Sequence, residues 1–465
     1  MIWMNEDLEK QLEDLYGLIS QVNNNQNLDN TETKVLEGKT FMYLDHGYFE
    51  NFSGPSAKKS EKVFYNAAME GSRTRSVILM KNIIESGFLG ETEIYAIDGL
   101  AASGLRARRW LNELPAEIAE RLRVTICDLD EESLDLAMKN HLKFPPIHGR
   151  GFLTPRKGDL RTAVLDQGWH WVDIDPFGSP MPFLDTAIQS LAKKAVLEVS
   201  ATDTAALTGS SKTALMRRYG ARVRTDGLAH DSGMRVLLAC IARCAAKHDR
   251  SIQPILSIWD SHHLRVSIKV RKSVEISNKL EEKLGWRVAN PCLEEVEASM
   301  KSGLLPKSST DYLPMHCFLP LSYPIIRVDN RVSGPLWIGQ IGDCEVMSRF
   351  TKEEVKELCV KEFHPDFVFS GWNEKDFQLK ERRIFRSIKY IEEESQVIDC
   401  ESLILTDDLA SSQKKGSPPS PNKMIKLIKE KGFKAARSHY SKPSFRTNAP
   451  WDVIIEALEE TQPPI

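Results

Sequence analysis

The residues whose types and spacing suggest chemistry are Asp175, Pro176 and Phe177, which directly follow an alternating apolar run from Trp171 to Ile174. A carboxylate beside a backbone carbonyl can accept both N–H groups of a nucleobase amine, whose lone pair is otherwise shared with the ring. An aromatic face can hold the base by stacking. The segment therefore suits methyl transfer to an exocyclic amine, although taken alone a turn that ends a strand is the simpler interpretation.

The elements that must position this segment form a repeated pattern in which strand-like runs end in acids and helix-like runs separate them. These strand ends are Asp98 with the loop 99–104, Asp128, Asp159 and Asp175. Because the carboxyl ends of parallel strands converge in an open α/β sheet, we expect the four ends to share one crevice. Two further runs, 253–259 and 264–270, predict a closing strand pair at the edge of the sheet.

The small-residue loop 99–104 indicates which ligand the crevice takes. Its residues let a ligand approach the backbone closely. It lacks both the G-x-G-x-x-G dinucleotide pattern and the Gly-Lys-Ser/Thr of a P-loop. An acid, a loop and a glycine after a strand match the looser pattern of S-adenosylmethionine enzymes, in which Asp128 would accept the ribose hydroxyls.

Length and composition exclude several classes of protein. The chain has 465 residues, a net charge of −3 and no apolar run near the length of a membrane span, and its acidic N-terminus lacks a signal peptide. We therefore expect a cytoplasmic protein. The eight cysteines form no Cys-x-x-Cys pair, which predicts reduced thiols and no bound metal.

The chain divides by pattern into three parts: a helical extension and linker at 1–34, the α/β domain at 35–274, and a mixed α/β domain at 275–465. Residues 299–310 are expected to be a polar linker. Between residues 414 and 446 there are ten Lys or Arg and one acid. Such a basic segment on a near-neutral chain suits a polyanionic partner, and a solvated charged helix is equally consistent with it.

Several motifs together resemble the tRNA (guanine-26, N2) dimethyltransferase family over residues 37–458. The matching motifs are Val63-Phe64-Tyr65-Asn66, Ser72-Arg73, Asp98-Gly99-Leu100-Ala101-Ala102-Ser103-Gly104-Leu105-Arg106, Asp175-Pro176-Phe177-Gly178-Ser179-Pro180, Ala201-Thr202-Asp203-Thr204-Ala205-Ala206-Leu207, Arg218-Tyr219-Gly220, Gly334-Pro335-Leu336-Trp337 and Thr447-Asn448-Ala449-Pro450. The resemblance implies a Rossmann-like class I S-adenosylmethionine methyltransferase domain and a smaller C-terminal domain that binds tRNA.

The resemblance also implies how the cofactor S-adenosylmethionine is held. The implied cofactor-binding residues are Arg73, Asp98, Arg106, Asp128, Leu129, Asp159 and Leu160. The two arginines would bind the methionine end and Asp128 the ribose. Leu129 would lie against the adenine, whose edge Asp159 and Leu160 would hold.

For the reaction, the resemblance implies that Asp175 accepts hydrogen bonds from the guanine N2 amine, while Phe64 and Phe177 sandwich the flipped base. Further RNA contacts are expected at Arg217, Arg218 and Tyr219. One or two methyl groups would be transferred, and a monomer is expected.

Some residues depart from the family pattern, and two other functions are considered. Asn66-Ala67 and Ser72-Arg73-Thr74 stand where relatives often have Asn-Pro and Asn-Arg-Asp. Residues 327–333 replace a cysteine cluster that some relatives carry, so no zinc is expected. The alternatives are a non-catalytic protein that binds or folds tRNA, and an enzyme that methylates a DNA amino group.

Overall fold

The computed structural model describes residues 32–45, 63–146, 152–260, 263–309, 311–326, 329–360, 374–400, 402–414, 416–440 and 442–461. Of the helical extension and linker predicted at 1–34, only residues 32–34 lie within them. The strands are β1 Glu32–Glu37, β2 Thr40–Asp45, β3 Ile94–Gly99, β4 Leu122–Asp128, β5 Phe152–Lys157, β6 Trp169–Ile174, β7 Leu191–Ala201, β8 Arg250–Asp260, β9 His263–Lys272, β10 Leu284–Ala289, β11 His316–Pro320, β12 Val332–Trp337, β13 Leu403–Leu405, β14 Ala435–Arg437 and β15 Ser444–Thr447.

Seventeen α-helices are present in the described ranges. They are α1 Glu70–Glu85, α2 Leu105–Glu113, α3 Ala116–Ala119, α4 Glu131–Lys143, α5 Leu160–Ala163, α6 Met181–Gln189, α7 Thr204–Leu207, α8 Lys212–Tyr219, α9 Ala229–Lys247, α10 Val274–Ser277, α11 Leu293–Lys301, α12 Cys344–Ser348, α13 Lys352–Cys359, α14 Glu374–Ser395, α15 Thr406–Ser412, α16 Pro421–Glu430 and α17 Trp451–Glu460. Helix α11 occupies the start of the predicted linker 299–310, because Val296 and Ser299 pack inward at helical spacing.

The central sheet has seven strands in the order β5-β4-β3-β6-β7-β9-β8. Strands β3 to β7 run parallel, and β9 pairs antiparallel with both β7 and β8. This sheet confirms the Rossmann-like fold and the closing strand pair expected from the sequence. Strand order reverses between β3 and β6, so the crevice at their carboxyl ends is where such a fold places its ligand.

The second sheet, with the order β11-β10-β12, shares its core with the first. Helix α9 packs against both β8 and β12, and Leu336 and Trp337 of β12 belong to the same apolar cluster as the central strands. The chain therefore passes from the first sheet to the second after residue 274, and the two sheets share one continuous core. The boundaries 34/35 and 274/275 remain predictions.

The third sheet, β13-β15-β14, has a small core of its own and is tied to the body by buried charges. Arg446 on β15 donates to Glu394 of α14 at 2.7 Å and to Asp231 of α9 at 3.2 Å. His439 adds a 2.6 Å contact between its Nδ1 and Glu394. These fully buried pairs hold helices α9 and α14 against the third sheet.

The buried position of Arg446 corrects one feature expected from the sequence. Arg446 was counted among the basic residues of the 414–446 segment, but its guanidinium is enclosed by acids. Lys431 is also engaged, in ion pairs with Glu456 and Glu460. The exposed cations of the segment within the described ranges are Lys414, Lys423, Lys426, Lys429, Lys434 and Lys442.

None of the helices in these ranges has the length and apolar character that a membrane crossing needs.

Candidate active site

The segment Asp175–Gly178 leaves the end of β6 and is fixed to the end of β7. The Gly178 N–H donates to Thr202 Oγ1 at 2.6 Å, and the Thr202 N–H donates to the Gly178 carbonyl at 3.0 Å. Gly178 has a φ of +87°, and no atom lies near enough to obstruct a Cβ, so the backbone conformation is what requires glycine here. The loop projects Phe177 outward, with 72% of its surface exposed.

The carboxylate of Asp175, the first residue of this segment, is paired with arginines. Arg106 Nη2 lies 2.7 Å from Asp175 Oδ2, and Arg265 Nη1 lies 4.0 Å from it. Burial opposes the charged form, but the two guanidinium groups outweigh it and hold the pKa of Asp175 below its usual range. Asp175 is therefore an ionised hydrogen-bond acceptor at neutral pH.

A deeper layer of charges, which the sequence did not predict, supports Arg106 and Asp175. Arg265 on β9 hydrogen-bonds to Asp173 of β6 and lies 2.9 Å from Glu198 of β7. Asp173 also lies 3.4 Å from Arg106 Nε. All three supporting side chains are buried, so their charges compensate one another. The signal available in the sequence was a charged residue within each of these largely apolar strands.

The loop after β3 is strained where a ligand would approach it. Leu100 and Ala102 have φ values of 63° and 47°, a region that residues with side chains rarely adopt. Functional sites often hold such conformations. Asp98 at the end of β3 accepts a 3.1 Å hydrogen bond from the N–H of Ala107 in α2, which fixes the helix start. Burial and the neighbouring carboxylates raise the pKa of Asp98 well above its usual range.

The next strand end places Asp128 beside the same loop. Asp128 Oδ2 accepts the Ala102 N–H at 2.8 Å, and Oδ1 accepts the Asp130 N–H at 3.0 Å. Each carboxylate oxygen can accept a second hydrogen bond, so Asp128 retains capacity for hydroxyl groups. Leu129, which follows it, is 65% exposed although apolar.

Asp159 and Leu160 lie at the end of β5, and their surroundings differ. Asp159 caps α5 by accepting the Arg161 N–H at 2.8 Å, and it also pairs with the Arg161 guanidinium at 2.5 Å. That pairing lowers the pKa of Asp159. Leu160 is buried against Gly99, where a Cβ would lie 2.6 Å from its Cδ2. Gly99 thus permits β3 and α5 to approach closely.

One buried polar atom in this crevice has no partner. Arg106 Nη1 is buried and makes no hydrogen bond with any described residue, while the Nη2 atom of the same side chain binds Asp175. A buried guanidinium N–H without an acceptor is costly, and a carboxylate is the group that it binds best. The crevice therefore fits a ligand that carries a carboxylate.

Arg73, the second arginine expected to bind the cofactor, is paired within the protein. Its Nε and Nη2 donate to the two oxygens of Glu37 at 2.5 and 2.6 Å, and Nη2 also donates to the Asn66 carbonyl. Tyr65 donates to the same carboxylate at 3.0 Å. Arg73 could reach a ligand only through its remaining N–H groups, and its role remains a prediction.

The two aromatic residues expected to sandwich a base do meet, but as an edge-to-face pair. The ring centroids of Phe64 and Phe177 lie 4.8 Å apart with an interplanar angle of 82°. Two stacking contacts on opposite faces of a base need a gap of roughly 7 Å between parallel rings. The rings therefore occupy the space of a base in this conformation.

Tyr219 supports the loop from behind rather than facing a partner, which corrects its expected role as an RNA contact. Tyr219 is buried, and its hydroxyl donates to Asp203 at 2.7 Å and accepts from Ser179 at 2.9 Å. Arg217 and Arg218 are both exposed, and Arg218 pairs with the same Asp203 at 2.9 Å. The sequence alone did not show that Tyr219 faces the interior while its neighbours Arg217 and Arg218 face the solvent.

Among the residues that the structure describes, one group of possible metal ligands is formed by helix α6 and the C-terminal end of helix α9. Asp185, Cys244 and His248 place their ligand atoms within 4.8 Å of one another. Burial, followed by the nearby Asp185, raises the pKa of the Cys244 thiol to about 12. The expected absence of a metal remains a prediction.

Comparison with known proteins relates the chain to tRNA guanine methyltransferases. A family described as N2,N2-dimethylguanosine tRNA methyltransferase matches residues 50–459. The tRNA (guanine(26)-N(2))-dimethyltransferases of Pyrococcus horikoshii and Pyrococcus furiosus are 27% and 28% identical over 410 and 421 residues, covering 85% and 87% of this chain and 92% and 95% of theirs. The structure of Trm1 from Pyrococcus horikoshii with S-adenosyl-L-methionine matches with a TM-score of 0.69 and 25% identity, over 91% of this chain and 99% of that one.

Proposed function

Because the chain belongs to the N2,N2-dimethylguanosine tRNA methyltransferase family, it is an S-adenosylmethionine-dependent methyltransferase, and we propose how its residues methylate N2 of guanine 26 in tRNA. The observation that carries the proposal is an ionised, arginine-paired Asp175 that lies two residues before the exposed Phe177, at the carboxyl end of β6. A carboxylate and an exposed aromatic ring on one short loop support the proposed roles of acceptor and stacking surface.

The residues at the strand ends fit the cofactor. The unpartnered Nη1 of Arg106 suits the methionine carboxylate, and Asp128 retains the capacity to accept from ribose hydroxyls. The exposed Leu129 supplies apolar surface for the adenine, whereas the side chain of Leu160 is buried against Gly99. Asp159 would accept the adenine amine only in competition with Arg161. When bound, S-adenosylmethionine supplies an electrophilic methyl group on a sulfonium.

Asp175 acts on the guanine amine as a hydrogen-bond acceptor. Its lowered pKa makes it a weak base, so it serves to orient the amine N–H groups and to localise the nitrogen lone pair. The proton leaves after the nitrogen has become positive, when even a weak base suffices. Most of the rate enhancement then comes from holding the amine in line with the methyl group.

Phe64 and Phe177 receive the base after it leaves its stack. Flipping costs a few kcal/mol, and stacking on an aromatic ring returns ~1–3 kcal/mol per base. Because the rings contact each other edge to face, they must first separate. Phe177 is highly exposed and therefore has room to turn.

The test uses the purified protein, a tRNA transcript and labelled S-adenosylmethionine. Asp175→Asn should lower methyl transfer by about 100- to 1,000-fold while tRNA affinity changes little. Asp135→Asn, at an exposed acid of α4, is the matched control and should keep full activity. A tRNA with inosine at position 26, which lacks the amine, should accept no methyl group. Equal losses of tRNA binding and transfer in Asp175→Asn would contradict the proposed role.

The same assay separates the alternatives. Binding of tRNA without transfer to any guanine would support a non-catalytic protein, whereas transfer to duplex DNA but not tRNA would support a DNA enzyme. Mass spectrometry of the nucleosides from methylated tRNA gives the number of methyl groups. A cytoplasmic location and a monomeric state remain predictions.

A further inference from the structure

A groove of about 590 Å³ lies apart from the crevice, between helix α8 and the second sheet. Its apolar surface comes from Trp286 on β10, Met216 on α8 and Ile326, which is 72% exposed. Exposed apolar side chains collected in one groove usually mark a binding site.

Two of the sequence motifs meet in this groove although they lie more than 100 residues apart. Gly220 comes from the Arg218-Tyr219-Gly220 motif, and Gly334 and Pro335 come from the Gly334-Pro335-Leu336-Trp337 motif. The backbones of Arg222 and Gly334 pair antiparallel, which joins the two motifs. Neither motif has a role in the crevice beyond the support that Tyr219 gives.

The aromatic ring in the groove is held in a fixed orientation. Trp286 donates its indole N–H to the Leu321 carbonyl at 3.4 Å. A Cβ at Gly334 would lie 2.9 Å from Trp286 Cε3, so the ring lies directly against glycine backbone. The side chain remains partly exposed in the groove. A ring fixed in this way offers a stacking surface at little entropic cost.

The charge around the groove is positive. Residues 204–225, which include α8, contain five Lys or Arg and no acid. Lys212, Arg217 and Arg222 are exposed. The acid in the groove lining, Asp329, is neutralised by Arg331 at 2.7 Å. An apolar, aromatic floor with a cationic rim fits a nucleotide, whose base stacks and whose phosphate is negative.

The groove is also connected to the loop that carries Phe177. Tyr219 at the end of α8 bonds to Ser179, two residues after Phe177, and the next residue, Gly220, lines the groove. A substrate that presents a base to Phe177 therefore passes close to α8.

We propose that this groove binds an unpaired nucleobase of the tRNA other than the one that is methylated, with Trp286 as its stacking surface. The inference rests on the proposed function, because it takes tRNA as the substrate. The groove would hold the tRNA in register while the target base enters between Phe64 and Phe177.

The test compares tRNA affinity across matched variants at one fixed salt concentration. Trp286→Ala should weaken tRNA binding about 5- to 150-fold, the range for loss of one stacked base, and Trp286→Phe should restore most of it. Ile326→Glu, at an exposed position that needs no repacking, should weaken binding by its charge. Ile276→Glu is its control, because Ile276 is 53% exposed and lies outside the groove lining.

Cofactor binding and the comparison of the two glutamate variants decide the outcome. Binding of S-adenosylmethionine should be unchanged in all four variants, since the groove and the crevice are separate. If Ile326→Glu binds tRNA as tightly as Ile276→Glu, the groove takes no base and the inference is wrong. If the unaltered protein methylates no tRNA, the proposed function itself fails, which is a different result.

Discussion

Arg106 binds Asp175 through Nη2 at 2.7 Å, while Nη1 of the same buried guanidinium has no partner among the residues that the structure describes. In the proposed mechanism, this side chain therefore binds the acceptor for the substrate amine through one nitrogen and the cofactor carboxylate through the other. Arginine suits this position because its planar fork presents several donors in fixed directions. Under that proposal, cofactor binding and the placement of Asp175 are linked through Arg106.

We predict that Arg106→Lys weakens both functions together. Lysine offers a single point charge and cannot bridge two carboxylates in a plane. Affinity for S-adenosylhomocysteine, measured by calorimetry, should fall at least about tenfold, which corresponds to ~1.4 kcal/mol, and methyl transfer should fall further. Arg156→Lys is the control, since Arg156 pairs with Asp166 at 2.8 Å on the surface. Unchanged cofactor affinity in Arg106→Lys would disprove the assignment.

We predict that Phe64→Ala lowers kcat/KM for tRNA by about 5- to 150-fold, because one of two stacking surfaces is lost. Phe64→Tyr should keep most of the activity, since the ring remains. Cofactor affinity should not change. Leu165→Ala, at an exposed apolar position, controls for a general effect of truncation. Steady-state kinetics with tRNA varied are the measurement, and equal kcat/KM values for Phe64→Ala and Leu165→Ala would count against stacking.

We predict that Glu394 makes stability depend on pH in the acid range. Burial disfavours its charge, but His439 and Arg446 outweigh that effect and lower the pKa of Glu394 to about 2. The folded state therefore holds this proton less tightly than the unfolded chain, whose ordinary value is 4.5. The contribution to the free energy of unfolding is complete above pH 4.5 and is lost as the pH falls toward 2.

The Glu394→Gln variant tests this prediction by urea unfolding at several pH values. It should be less stable at pH 7 by about 3–5 kcal/mol, because it leaves buried positive charge poorly compensated. Its stability should fall less steeply than that of the unaltered protein below pH 4.5. Glu430→Gln is the control, because Glu430 pairs with Lys426 at 3.8 Å on the surface, where such a pair contributes little to stability. Parallel pH curves for the Glu394 variant and the unaltered protein would contradict the prediction.

We predict that the exposed lysines of α16 contact tRNA phosphates. Replacing Lys426 and Lys429 by alanine should weaken tRNA binding and reduce the slope of log affinity against log salt by about 0.7–0.9 per lost contact. The control replaces Lys279, which follows α10, and Lys301, the last residue of α11, by alanine. Both lysines are exposed, so the change in charge is the same. An unchanged slope in the α16 variant would place the RNA surface elsewhere.

Much of the fold and part of the site followed from the sequence because they depend on local rules. Strand periodicity together with acids at strand ends predicted the sheet and placed Asp98, Asp128 and Asp175 at one edge. The requirement for glycine at Gly178 is equally local. These features arise from the sterics and hydrogen bonding of a few consecutive residues.

The tertiary structure alone decided which charges are paired and which are free to act. Arg73 is held by Glu37, which lies 36 residues away, and Arg446 by Asp231, which lies 215 residues away. It also decided that Phe64 and Phe177 contact each other edge to face. A charged or aromatic residue has the same local propensity whether it is buried or exposed, so its role depends on distant segments that only folding brings into contact.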